Sequence, residues 1–168
     1  NMGGSFFNPP RIETITESLQ EDMRTFRKLN FISLFLEAER DQIVPQNFID
    51  LNYFLAAQLM LDPDKDLEVL IDRFLRGFYG PAASQMREYL ESLRKGIRNQ
   101  PGKQRTMRVG RWQFITPEFL MQSLRMFEQA LLNVPEGSPY RFRVQNEMLP
   151  LLWQILQSRH ELETHMKK

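Results

Sequence analysis

The stretch Leu59-Met60-Leu61-Asp62-Pro63-Asp64-Lys65-Asp66, with Leu70-Ile71-Asp72-Arg73-Phe74 and Gly77-Phe78-Tyr79-Gly80-Pro81-Ala82-Ala83 behind it, decides how this chain folds. It reads as a helix end, a capped restart, a short amphipathic helix and a Gly-Pro break into another helix. Asp62 precedes a proline, which steers it out of the α region, so the helix arriving through Leu55 and Leu59 stops there. Asp64 or Asp66 caps the next helix, whose apolar stripe is Leu67, Leu70, Ile71, Phe74 and Phe78. Gly80 falls just past that helix, where the chain commonly needs a positive φ, and Pro81 presets the first turn of the next one. Phe78 and Tyr79 then pack into the angle between the two helices, so the corner is structural in this reading.

Working outward, helical punctuation repeats along the chain. Pro45 opens a helix to Leu61 with Phe48, Leu51, Leu55 and Leu59 inward, since proline costs nothing where the N–H has no helical partner. Pro81 starts a helix with Met86, Leu90, Leu93 and Ile97 inward. Thr116-Pro117-Glu118 supplies a cap, a first-turn proline and an acid suited to the helix dipole. Its helix runs to about Asn133 and turns Leu120, Leu124, Phe127 and Leu131 inward. Ser138-Pro139 repeats the signal for a last helix carrying Val144, Met148, Leu152, Ile155 and Leu162, with a kink expected at Pro150. The fold class is therefore mainly α, a five-helix bundle-like domain over residues 45–168.

The N-terminal part reads differently. Thr14 to Leu29 places Ile15, Leu19, Met23 and Phe26 on one helical face. Phe31-Ile32-Ser33-Leu34-Phe35-Leu36 is apolar on both alternating faces, which suits a strand buried on both sides. Ser5-Phe6-Phe7 is the other plausible strand. Residues 1–44 are thus expected to be a strand-helix-strand (βαβ) remnant, the tail of a larger α/β domain. A buried helix segment or a lone hairpin strand is the alternative for the apolar run.

A length of 168 residues, 42% hydrophobic and 26% charged, suffices for a domain with a real core. The net charge of +1 provides no global field to draw nucleic acid or a membrane surface. The absence of cysteine excludes disulfides and thiolate metal sites. No apolar run approaches the roughly 20 residues of a membrane span. The opening Asn1-Met2-Gly3-Gly4-Ser5 lacks the basic start and apolar core of a signal peptide.

Few side chains form a chemical constellation. Asp62, Asp64 and Asp66 begin like a calcium loop, yet Leu67 and Arg73 stand where the loop needs Gly and Glu, so no metal is expected. Glu37 and Glu39 follow the apolar run, where barrel enzymes place catalytic groups, which makes them candidate substrate-binding residues. In extended chain they lie roughly 7 Å apart, within the range of paired glycosidase carboxylates. A solvated loop is the plainer reading, and no catalytic residue is assigned. His160 and His165, five apart on one helix, lie on different faces and suit a metal poorly. From Arg94 to Arg111 there are seven basic residues and no acid, with Trp112 directly after. Arg98, Lys103, Arg105, Arg108, Arg111 and Trp112 are candidate contacts for an acidic polymer, against a plain solvated loop. Nothing calls for a cofactor.

The quoted stretch also resembles a family signature, that of domain of unknown function 4838, from the C-terminal part of glycoside-hydrolase-like proteins of polysaccharide-degrading bacteria. The resemblance rests on Leu59, Asp62, Pro63, Asp64, Asp66, Leu70, Ile71, Asp72, Phe74, Tyr79 to Ala83, Arg87 and Tyr89. It departs at Leu61, where the family usually has Trp, and at Phe78, where it often has Tyr. Thr116 to Leu120 and Arg143…Leu149-Pro150-Leu151-Leu152 look like the family's last two helices. The resemblance implies that residues 1–44 are the C-terminal end of a (β/α) barrel similar to those of α-glucuronidases and hexosaminidases, with residues 45–168 a helical buttress on it and carbohydrate reached through that barrel. It further implies secretion or a periplasmic location and allows homo-oligomeric contacts. The binding-module alternative is a free-standing interaction domain that uses residues 94–111.

Overall fold

A computed structural model describes residues 16–36, 46–99 and 112–166. Their regular elements are seven α-helices and one 3-10 turn: α1 (Thr16–Lys28), α2 (Ile49–Leu61), α3 (Leu67–Tyr79), the turn Gly80–Ala82, α4 (Ala83–Arg98), α5 (Pro117–Leu132), α6 (Pro139–Gln157) and α7 (Arg159–Met166). The mainly α class is as expected.

The local signals act as read. Asp66 caps α3, its carboxylate accepting the Glu68 and Val69 N–H groups at 2.9 and 3.1 Å. Asp62 is extended (φ −154°, ψ 100°), as its proline neighbour requires. Thr116 accepts the Phe119 N–H at 3.3 Å, and Ser138 accepts the Arg141 N–H at 3.2 Å. Both helices then begin with proline.

The expected βαβ remnant is not seen among the described residues. Residues 31–36 form no strand; Ile32 is fully exposed and Phe35 is 88% exposed. The run begins instead as the end of α1. Asn30 adopts a left-handed φ of 56°, the Phe31 N–H bonds the Phe26 carbonyl at 3.0 Å, and the two rings meet at 5.2 Å. That is a Schellman stop with its hydrophobic contact. An apolar hexamer becomes a strand only when a neighbouring ladder takes its backbone groups, and no described segment supplies one.

Two boundaries and one buried face also differ from the sequence reading. Helix α2 starts at Ile49, and Phe48 sits before it at φ 54° with its ring fully buried; Pro45 lies outside the described residues. In α3 Leu75 and Tyr79 are buried along with the expected Leu70 and Ile71, while Phe74 and Phe78 are only half-buried. Helix α6 runs unbroken through Pro150, and the interruption falls at Ser158, before α7.

Helices α2 to α6 share one core, including Leu51, Leu55, Ile71, Leu75, Leu90, Leu120, Phe127 and Val144. Helix α1 adds Leu19 and Met23 to that core and packs against α2. Gln20 fastens it by donating from Nε2 to the Pro63 and Lys65 carbonyls at 3.0 and 2.7 Å. Arg24 and Arg27 pair with Asp64 at 3.3 and 2.5 Å.

Candidate functional site

Burial of ionisable chemistry concentrates at one point, Glu147 on α6. Val144, Glu147 and Leu151 follow the three-four spacing of a core face, so the helix that buries Val144 and Leu151 buries the acid too. Oε1 of Glu147 accepts the Phe48 N–H at 2.6 Å and the Asn47 side-chain amide at 3.0 Å. Oε2 accepts the Tyr79 hydroxyl at 2.7 Å. Asn47 also donates to the Glu147 carbonyl at 2.9 Å and accepts the Tyr89 hydroxyl at 3.2 Å. The Phe48 ring lies between the two tyrosines, 6.4 Å from Tyr79 and 5.8 Å from Tyr89.

Burial pushes the Glu147 carboxyl above the ordinary carboxylate range, against the opposing hydrogen bonds from Tyr79, Asn47 and Phe48. Burial, reinforced by the Glu147 charge, pushes both tyrosines well above the usual phenol range. An acid, an amide and two phenols are general acid–base groups by type. Here each satisfies another, and Glu147 is 8% exposed with Tyr79 at 1% and Tyr89 and Asn47 at 0%. The cluster is a latch joining the segment before α2 to α3, α4 and α6.

The signature corner is tied to the same latch. Gly80 has φ +55°, and a Cβ there would stand 2.8 Å from the Tyr140 ring of α6. Arg143 donates to the Phe78 carbonyl at 2.8 Å, its guanidinium 4.4 Å above the Phe78 ring.

The charged residues of α3 and α4 also pair internally. Glu68 receives Arg94 at 2.8 and 3.2 Å and also pairs with Arg87. Arg87 reaches Asp72 at 3.1 Å, and Arg94 reaches Glu91 at 2.8 Å. The Arg94 guanidinium hydrogen bond, ahead of the burial that opposes it, holds the Glu68 carboxyl below its ordinary value.

Of the binding candidates named from the sequence, Arg98 and Trp112 are the two among the described residues. Glu37, Glu39, Lys103, Arg105, Arg108 and Arg111 lie outside the described residues. Arg98 comes within 4.0 Å of Glu91, and Trp112 is half-buried with its ring 6.3 Å from Phe114. Asp62, Asp64 and Asp66 divide into a turn acceptor, an ion-pair partner for α1 and a helix cap. Among the described residues no group of three or more His, Asp or Glu is placed to hold a metal. His160 and His165 line an open cleft of about 500 Å³ with Pro117, Glu161 and Thr164, and His165 Nδ1 stands 3.3 Å from Glu118. No described helix is long and apolar enough to cross a membrane.

Sequence reading missed the Glu147 latch. Its one signal is an acid at a core-spaced position of an amphipathic helix, and Asn47 carries no signal at all.

The model of a family described as a domain of unknown function, DUF4838, matches residues 4–91, just over half of the chain. The match includes the Asp62 to Tyr89 signature and stops before Thr116 to Leu120 and Leu149 to Leu152. No curated protein and no solved structure matches the chain. With more than half of its length fitted, signature corner included, the chain belongs to the DUF4838 family.

Proposed function

We propose that the chain is the helical C-terminal region of a glycoside-hydrolase-like protein engaged in glycan degradation, supporting a catalytic (β/α) barrel and doing no chemistry of its own. The observation that carries this reading is the segment 31–36. Ile32 and Phe35 stand almost wholly in water, and covering two side chains of this size is worth about 1.5–3 kcal/mol each. A barrel wall is the surface that would cover them. The described polar groups support the same reading, because the acid–base set around Glu147 is closed to substrate and serves to hold helices together.

The test uses the natural full-length gene product with Ile32→Asp and Phe35→Asp. A lowered unfolding temperature for the barrel, with the helical transition unmoved, is expected; an unmoved barrel removes the reading. The isolated 168-residue chain is expected to leave aryl glycosides intact, and turnover abolished by Glu37→Gln would overturn that. The competing polyanion module loses Arg94 to its ion pairs with Glu68 and Glu91. Retention on heparin beyond about 0.2 M salt would reinstate it, since non-specific attraction fades by then.

A further inference from the structure

Helix α6 buries one face and leaves the opposite one bare. Phe142, Leu149, Leu152, Trp153 and Leu156 are 71%, 45%, 41%, 39% and 53% exposed. Phe142, Leu149 and Leu156 recur at seven-residue intervals, with Leu152 and Trp153 three and four positions after Leu149. That is the spacing of a coiled-coil seam. Leu152, expected inward from its sequence, is turned out because Val144, Glu147 and Leu151 take the core. The remaining exposed positions between Phe142 and Gln157 carry amides and no charge.

We propose that this face of α6 is a two-fold interface with a second copy of the chain. Its size is compatible with this: side chains of this bulk and exposure present on the order of 500 Å² of contiguous apolar surface, the scale at which a patch is often functional. Doubled across two partners and widened by the flanking amides, it reaches the roughly 1,200 Å² at which stable interfaces begin. Its charge favours it too, because an uncharged stripe set against itself opposes no like charges and offers a charged partner nothing to pair with. Leu149, at the centre of the stripe, meets its own copy near the axis, as a self-complementary patch requires. The inference stands apart from the barrel reading, and its test bears on self-association alone.

The chain lacks cysteine, so Leu149→Cys introduces a single thiol. Sedimentation equilibrium of the 168-residue chain is expected to show a dimer at concentrations on the order of 10 µM. Leu152→Arg combined with Leu156→Arg should yield monomer with unchanged helical circular dichroism. Under copper-phenanthroline oxidation, Leu149→Cys should form a covalent dimer, whereas Val69→Cys, on an exposed position of α3, should not. A parent chain that stays monomeric, or a dimer that survives the two arginines, overturns the proposal. Should the double arginine variant unfold, equal cross-linking of the two cysteine variants overturns it instead.

Discussion

Glu147→Leu is the sharpest probe of the latch. The substitution keeps bulk and removes the acceptor of two donors that have no other partner among the described residues, the Phe48 N–H at 2.6 Å and the Tyr79 hydroxyl at 2.7 Å. Asn47 keeps the Glu147 backbone carbonyl at 2.9 Å. Each orphaned buried donor costs about 1–3 kcal/mol, so the variant should lose about 2–6 kcal/mol, a large share of the 5–15 kcal/mol of a typical domain. Glu147→Gln should behave differently. Its carbonyl still accepts from Phe48 and Asn47, its NH₂ faces a tyrosine oxygen able to accept, and no charge is buried. It should stay within about 1 kcal/mol of the parent at neutral pH. The pH dependence has a definite sign. Burial raises the folded carboxyl above its ordinary value, so the folded state holds the proton more tightly than the unfolded chain. Its stabilising contribution is complete below the ordinary carboxylate pKa and is lost as pH rises through the raised one. Glu147→Gln should therefore gain on the parent across that window as pH rises. Urea unfolding followed by circular dichroism from pH 4 to 8 measures all three effects. Equal losses for Leu and Gln, or a parent that gains on Gln as pH rises, would refute the reasoning.

Gly80→Val should cost about 2–4 kcal/mol, because it combines a φ of +55° with a Cβ driven into the Tyr140 ring; a variant that melts like the parent but loses sugar binding would make the corner a ligand site. Asn52 is wholly buried with neither side-chain polar atom partnered among the described residues, so Asn52→Leu should raise stability by about 1 kcal/mol, and a lower melting temperature would count against it. Arg94→Met should cost about 1–2 kcal/mol, since the guanidinium leaves a largely buried site while the stem's packing stays. Glu68, whose carboxyl Arg94 holds low, contributes stability above the ordinary carboxylate range and loses it as pH falls through the lowered value. Arg94→Met should therefore flatten the acid limb of the stability profile, and an unaltered limb would show the pair to be inert.

The sequence by itself determined the helical class and most helix ends, because those depend on neighbours in the chain. A proline after Asp62, a carboxylate two residues before the Glu68 N–H, and a hydroxyl ahead of Pro117 or Pro139 act within one turn and need no tertiary partner. The positive φ of Gly80 belongs with them, although the Tyr140 ring that makes the position unforgiving comes from 60 residues away. Tertiary structure decided the rest. Whether Phe31 to Leu36 pairs as a strand depends on a ladder elsewhere, and with none described its first residue serves to stop α1. Which side of α6 faces inward was settled by the helices around it: its apolar residues cover more than one face, and packing chose Val144 and Leu151 over Leu152. The latch is the clearest case. Asn47 and Glu147 lie 100 positions apart, and only the close approach of the segment before α2 to α6 turns an unremarkable amide and a mid-helix acid into a closed hydrogen-bond network.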